Sequence, residues 1–154
     1  MTRIDFYVLP DLRLDARERF AARLATRAFR EGHRSLVLVE DDAGAGRFDN
    51  LLWREPRNAF VPHVRLGSED AARVPVTFGT AEDVRACEAT GRVIHDLLIN
   101  LGASIPERFA AFDRVAEIVC QDEAIRAAGR DNYRYYRERG YPLHHHDLGA
   151  GQSS

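Results

Sequence analysis

Arg126, Arg130, Tyr133 and Arg137 recur at i, i+4, i+7 and i+11, a spacing that places three guanidinium groups and one phenol on one face of a helix. Arginine forks bind carboxylates bidentately, and an interleaved aromatic ring can pack an apolar side chain, so such a stripe can capture an acidic peptide. The same segment also reads as a solvated charged face. Asp122 and Glu123 open it and Arg137 and Arg139 close it, the order that the helix dipole favours. Spacing alone leaves both readings open.

A second constellation is Leu52-Trp53-x-x-Pro56-x-x-x-Phe60-Val61-Pro62-His63, which gathers the single tryptophan, two prolines and a phenylalanine. Trp53 and Phe60 either fill the core or anchor an exposed apolar surface for a protein partner. Elsewhere the residues offer little chemistry. There is no G-x-S-x-G elbow, and no His or Cys grouping has zinc spacing. Asp42-Ala-Gly44-Ala-Gly46-Arg-Phe-Asp49 imitates a phosphate-binding turn. It follows the second strand rather than the first, however, and Asp49 stands where the third glycine belongs. Asp41 and Asp42 read as helix caps more readily than as catalytic acids. His144, His145 and His146 lie in a polar tail with no fixed metal geometry. No catalytic residue, metal site or cofactor is expected.

The 154 residues suit one domain, and 45% hydrophobic content suffices for a core. All 22 basic residues are arginine, set against 24 acids for a net charge of −2. That balance argues against coating bare nucleic acid, which needs a net basic face. Met1–Leu9 lacks the apolar stretch of a signal peptide, and the longest apolar runs, such as Leu36–Val39, are strand-sized. Cys87 and Cys120 are far apart, with no C-x-x-C motif, as in a reduced cytoplasmic protein.

The elements that must position these residues alternate along the chain. Strands are expected at Ile4–Leu9, Ser35–Val39, Phe60–His63, Val74–Phe78, Arg92–Ile99 and Val115–Val119. Helices are expected at Asp15–Glu31, capped by Asp15, at Ala43–Arg54, at Ile105–Phe112 starting on Pro106, and at Asp122–Arg139 stopped by Gly140. The segment Thr80–Gly91 reads as a loop or a short helix, and His144–Ser154 as a disordered tail. This order implies a single-domain, three-layer α/β fold over residues 1–143 with a largely parallel sheet.

Taken together, these features resemble the chi subunit family of the bacterial DNA polymerase III holoenzyme. The resemblance rests on Phe6-Tyr-Val-Leu9, Gly32-His-Arg34, Glu40-Asp41, the Trp53-to-His63 stretch and the closing Arg130-x-x-Tyr133-x-x-Tyr136-Arg137-x-x-Gly140-Tyr141. It implies a Rossmann-like fold without a nucleotide site, and a non-catalytic accessory subunit of a nucleotidyltransferase complex. Its implied partners are the psi subunit, which tethers it to the clamp loader, and the acidic C-terminal tail of single-stranded DNA-binding protein. It further implies that DNA is contacted only indirectly and that no membrane is involved. By position, the tail pocket would comprise Val119, Arg126, Arg130, Tyr133, Arg137 and Gly140, and the psi surface Trp53, Pro56, Phe60, Val61 and Pro62. The alternative is a small α/β nucleotide-binding protein or enzyme using the crest near Asp41, Asp42 and Gly44.

Overall fold

Apolar strands alternating with amphipathic helices can bury both faces of a parallel sheet, and this chain does so in three layers. The structure, a computed structural model, describes residues 1–54, 60–88 and 96–149. Its strands are β1 (Arg3–Val8), β2 (Ser35–Leu38), β3 (His63–Arg65), β4 (Val76–Gly79), β5 (Leu97–Asn100), β6 (Arg114–Val119) and β7 (Leu143–Asp147). Its helices are α1 (Leu14–Arg30), α2 (Asp42–Arg54), α3 (Ala81–Glu88) and α4 (Glu123–Glu138). The strands form one sheet in the order β3-β4-β2-β5-β6-β1-β7, with every pairing parallel. The expected Rossmann-like α/β architecture is therefore present.

Strand alternation divides the core in two. Val37, Phe78, Ile99 and Ile118 pack under α1 and α2, through Leu24, Ala25, Phe48 and Leu52. On the other face Phe6, Leu98 and Val115 pack with Tyr136 of α4. β2 and β5 are buried along their whole length, which is why Ser35-Leu-Val-Leu38 and Leu97-Leu-Ile-Asn100 read as nearly continuous apolar runs.

Several local expectations need correction. Asp15 does not cap α1. The helix starts one residue earlier, Arg13 occupies the cap position without a side-chain bond, and the Asp15 carboxylate pairs with Arg13 at 3.1 Å and Arg19 at 3.2 Å. Phe60–His63 is not a strand. Pairing begins at His63, after Pro62, which has no N–H to give to a ladder. β4 likewise starts after Pro75. Residues 92–95 of the expected Arg92–Ile99 strand lie outside the described residues, and pairing there begins at Leu97. Ile105–Phe112 yields only a 3-10 turn at Phe109–Ala111, because Phe109 and Phe112, three residues apart, both insert into the core.

The largest correction concerns the tail. His144–Asp147 is not disordered but forms most of β7, paired with β1 from Ile4↔Leu143 to Val8↔Asp147. Two contacts hold this polar strand. His146 Nε2 lies 2.9 Å from Asp5 Oδ1, and its ring stacks on Tyr7 with centroids 4.6 Å apart. Asp5 is fully buried and also accepts from Arg3 at 3.1 Å and Arg114 at 3.1 Å. Burial pushes its carboxyl up, but the hydrogen bonds from His146 and Arg3 and the charge of Arg114 outweigh this and hold it below the ordinary value.

A carboxyl depressed in the folded state stabilises above its ordinary value of 3.8, and that contribution is lost as the pH falls through the lowered value. Asp5→Asn is accordingly expected to cost on the order of 2 kcal/mol at pH 7 and progressively less below pH 4. Urea unfolding of both proteins between pH 2 and pH 7 measures this difference, and a constant gap across that range would count against it.

Candidate functional site

α4 carries the arginine stripe, and its placement begins with its ends. Asp122 caps the N-terminus by accepting from Ile125 N at 3.2 Å. Gly140 terminates the helix with φ +77°, a conformation that favours glycine. The inner face buries Gly129, Asn132 and Tyr136. Arg126, Arg130 and Arg137 are exposed on the outer face, while Tyr133 is half-buried. Among the described residues none of these three arginines makes an ion pair, although neighbouring Arg134 reaches Asp131 at 3.8 Å.

A cleft of about 620 Å³ opens beside this stripe. Phe6, Val8 and Val119 supply its apolar part, and Arg126, Arg130 and Arg137 line the α4 side with Tyr133. The Tyr133 ring stands edge-on to Phe6, with centroids 5.2 Å apart. Charged forks bordering an apolar groove can hold a ligand that is anionic at one point and apolar at another. Of the six expected tail-pocket residues, five line this cleft. Gly140 does not; it shapes the helix end. Sequence reasoning missed Phe6, Val8, Gln121, Gly129, Arg134, His145 and Asp147, which also line it.

Gly129 had a legible signal, being a glycine inside a helix. A Cβ there would sit 2.8 Å from Val119 Cγ2, so α4 lies closer to β6 than any other residue would allow. Beneath it, Glu117 is buried and accepts from Asn100 Nδ2 at 3.0 Å and from Tyr136 Oη at 2.8 Å on the same oxygen. Asn132 Nδ2 approaches the other oxygen at 3.5 Å. Burial pushes the Glu117 carboxyl up, partly countered by these donors. The network ties the inner face of α4 to β5 and β6, and so sets the angle at which the arginines face the cleft.

The second constellation is split by the structure. Trp53 is 61% and Phe60 64% exposed, with ring centroids 5.5 Å apart. Two large rings in contact with each other and open to water make an apolar patch. Pro62 is half-buried, whereas Val61 is fully buried in the core with Phe48 and Leu52. Pro56 lies outside the described residues. His63 props Trp53 edge-on at 4.9 Å, with Nδ1 2.7 Å from the Val61 carbonyl and Nε2 3.1 Å from Asp49 Oδ1.

The crest near Asp41 offers no phosphate cradle. Asp41 Oδ1 already accepts from Gly44 N at 2.8 Å and caps α2, while Asp42 pairs with Arg65. The three adjacent histidines point alternately to opposite faces of β7 and cannot converge on one ion. Among the described residues no group of three or more potential ligands could hold a metal, and no helix is long and apolar enough to cross a membrane.

Comparison with known proteins places the chain in a family. Residues 1–144 match the family described as DNA polymerase III chi subunit, HolC. The chain is 43% identical over 148 residues to the DNA polymerase III subunit chi of Pseudomonas aeruginosa, covering 96% of this chain and 98% of that one. It is 30% identical over 130 residues to its counterpart in Escherichia coli K12, covering 84% of each. The Haemophilus influenzae protein of the same name is 28% identical over 144 residues, 94% of this chain and 96% of that one. By the family match over residues 1–144 and the 43% identity along nearly the whole chain, this protein belongs to the DNA polymerase III chi subunit family.

Proposed function

We propose that this chain is a non-catalytic accessory subunit of the bacterial replicase, acting in the cytoplasm as an adaptor between two proteins. The α4 cleft takes the acidic C-terminal tail of single-stranded DNA-binding protein, and the Trp53–Phe60 patch takes the psi subunit, through which the clamp loader is reached. Three observations support the adaptor reading: a net charge of −2 on the whole chain, an arginine stripe without ion pairs among the described residues beside an apolar groove, and an exposed aromatic pair on a separate element. DNA is then reached only through the proteins that bind it.

The observation that carries the tail site is the stripe itself. Arg126, Arg130 and Arg137 attract the acidic residues, and one fork takes the terminal carboxylate. Val119, Phe6 and the Tyr133 ring receive the last side chain. A short peptide with a small interface binds at micromolar strength, about −8 kcal/mol.

Arg130→Ala is expected to weaken a fluorescein-labelled acidic peptide ending in phenylalanine about tenfold, read by fluorescence anisotropy. Wild-type affinity is expected to fall as salt rises, because the arginines are exposed. Superimposable isotherms for wild type and Arg130→Ala would show that the tail binds elsewhere.

A further inference from the structure

The cleft has a second side that the arginine stripe does not explain. β7 alternates its side chains across the sheet. His146 turns to the α1 face, where it meets Asp5 and stacks on Tyr7, and His145 and Asp147 turn to the α4 face and line the cleft. The register sets their levels. His145 pairs with Phe6 across the ladder and Asp147 with Val8, which in turn faces Val119. His145 therefore stands beside Phe6, with Tyr133 edge-on to it at 6.3 Å, so the three rings make one continuous aromatic surface in the cleft. Asp147 sits one step further along the same wall.

We infer that β7 is a working wall of the acidic-peptide cleft, in which His145 is a further specificity-determining residue that donates to the bound peptide and Asp147 opposes carboxylates at its own level. This rests on the reading of the cleft as an acidic-peptide site.

The chemistry follows from the placement. An imidazole always presents at least one N–H donor, and the exposed His145 lines the cleft with the guanidinium groups, beside the Phe6 and Tyr133 rings. An extended acidic chain entering between α4 and β7 meets arginines on one side and His145 on the other. Asp147 carries the opposite charge to the stripe and disfavours an acidic side chain at the level of Val8 and Val119. The peptide is thereby pushed to present an apolar residue there and its carboxylates to α4. The Asp5–His146 contact on the far face fixes the strand, so the wall is held from behind.

The test uses the full chain and the same labelled acidic peptide ending in phenylalanine. His145→Ala is expected to weaken binding about fivefold, His145→Gln, which keeps an N–H donor, to recover most of the loss, and Asp147→Asn to tighten binding about threefold. Both positions are exposed, and thermal melts matching wild type confirm that the variants fold. Unchanged affinity in His145→Ala and Asp147→Asn, with Arg130→Ala still impaired, would overturn the wall while leaving the tail site standing. If wild type itself does not bind the peptide, the tail reading fails instead. A loss in His145→Ala that His145→Gln does not recover would assign the residue a packing role and overturn the donor assignment.

Discussion

Glu117→Ala is expected to lower the free energy of unfolding by about 3 kcal/mol, through an orphaned hydroxyl and a new cavity. Tyr136 Oη donates to Glu117 from a fully buried position, and among the described residues this is the acceptor it has. Asn100 and Asn132 each keep a second acceptor, the carbonyls of Ser104 and Ala103, so their loss is smaller. Because the network holds the inner face of α4, peptide affinity should fall along with stability. Urea unfolding followed by circular dichroism measures the first effect; a loss under about 1 kcal/mol would mean that Tyr136 finds another partner.

The same residue sets a pH dependence of opposite sign to that of Asp5. Its carboxyl is raised in the folded state above the ordinary value of 4.5, so its contribution is fullest below that value and declines as pH rises through the raised one. Glu117→Gln removes this titration. The gap in unfolding free energy between wild type and Glu117→Gln should therefore shift towards the variant as the pH rises above 4.5. A pH-independent gap would show that the folded carboxyl is not raised.

The second large effect is expected at the aromatic patch. Trp53→Ala should weaken binding of the psi subunit by about 30-fold or more, the size of a central tryptophan anchor. Its exposure of 61% means that little core is lost, so the fold and the peptide affinity should survive. Val61→Ala provides the contrast. Val61 is fully buried, and its truncation should lower stability first and partner binding only as a consequence. Isothermal titration calorimetry with purified psi separates the two. Unchanged psi affinity in a folded Trp53→Ala protein would move the interface elsewhere on the chain.

Much of the architecture was legible because it is locally encoded. Apolar runs bounded by glycine or proline marked the strands, and the i, i+4 apolar stripe of α1 and the capped, glycine-stopped α4 were written in turn chemistry. The stripe of Arg126, Arg130, Tyr133 and Arg137 was equally legible, since residues on one helical face are fixed by spacing alone. Its meaning was not. A solvated face and a binding face share one pattern, and spacing does not reveal that β1, β6 and β7 open a cleft beside α4. The Trp53–Phe60 stretch was ambiguous for the same reason, because exposure depends on neighbours far along the chain.

The sequence by itself determined the alternation of strands and helices through α4, apart from the Phe109–Ala111 turn, the face of α4 that carries the arginines and the places where the long helices stop, all of which depend on residues a few positions apart. Tertiary structure alone decided three features. Leu143-His-His-His-Asp147 becomes a strand because His146 finds Asp5, 141 positions away. Glu117 interrupts an apolar strand because three donors from β5 and α4 converge on it. Gly129 matters because α4 crosses β6 at Val119 with no room for a Cβ. Each is a contact between segments distant in the chain, whose strength depends on burial and geometry that no local pattern encodes.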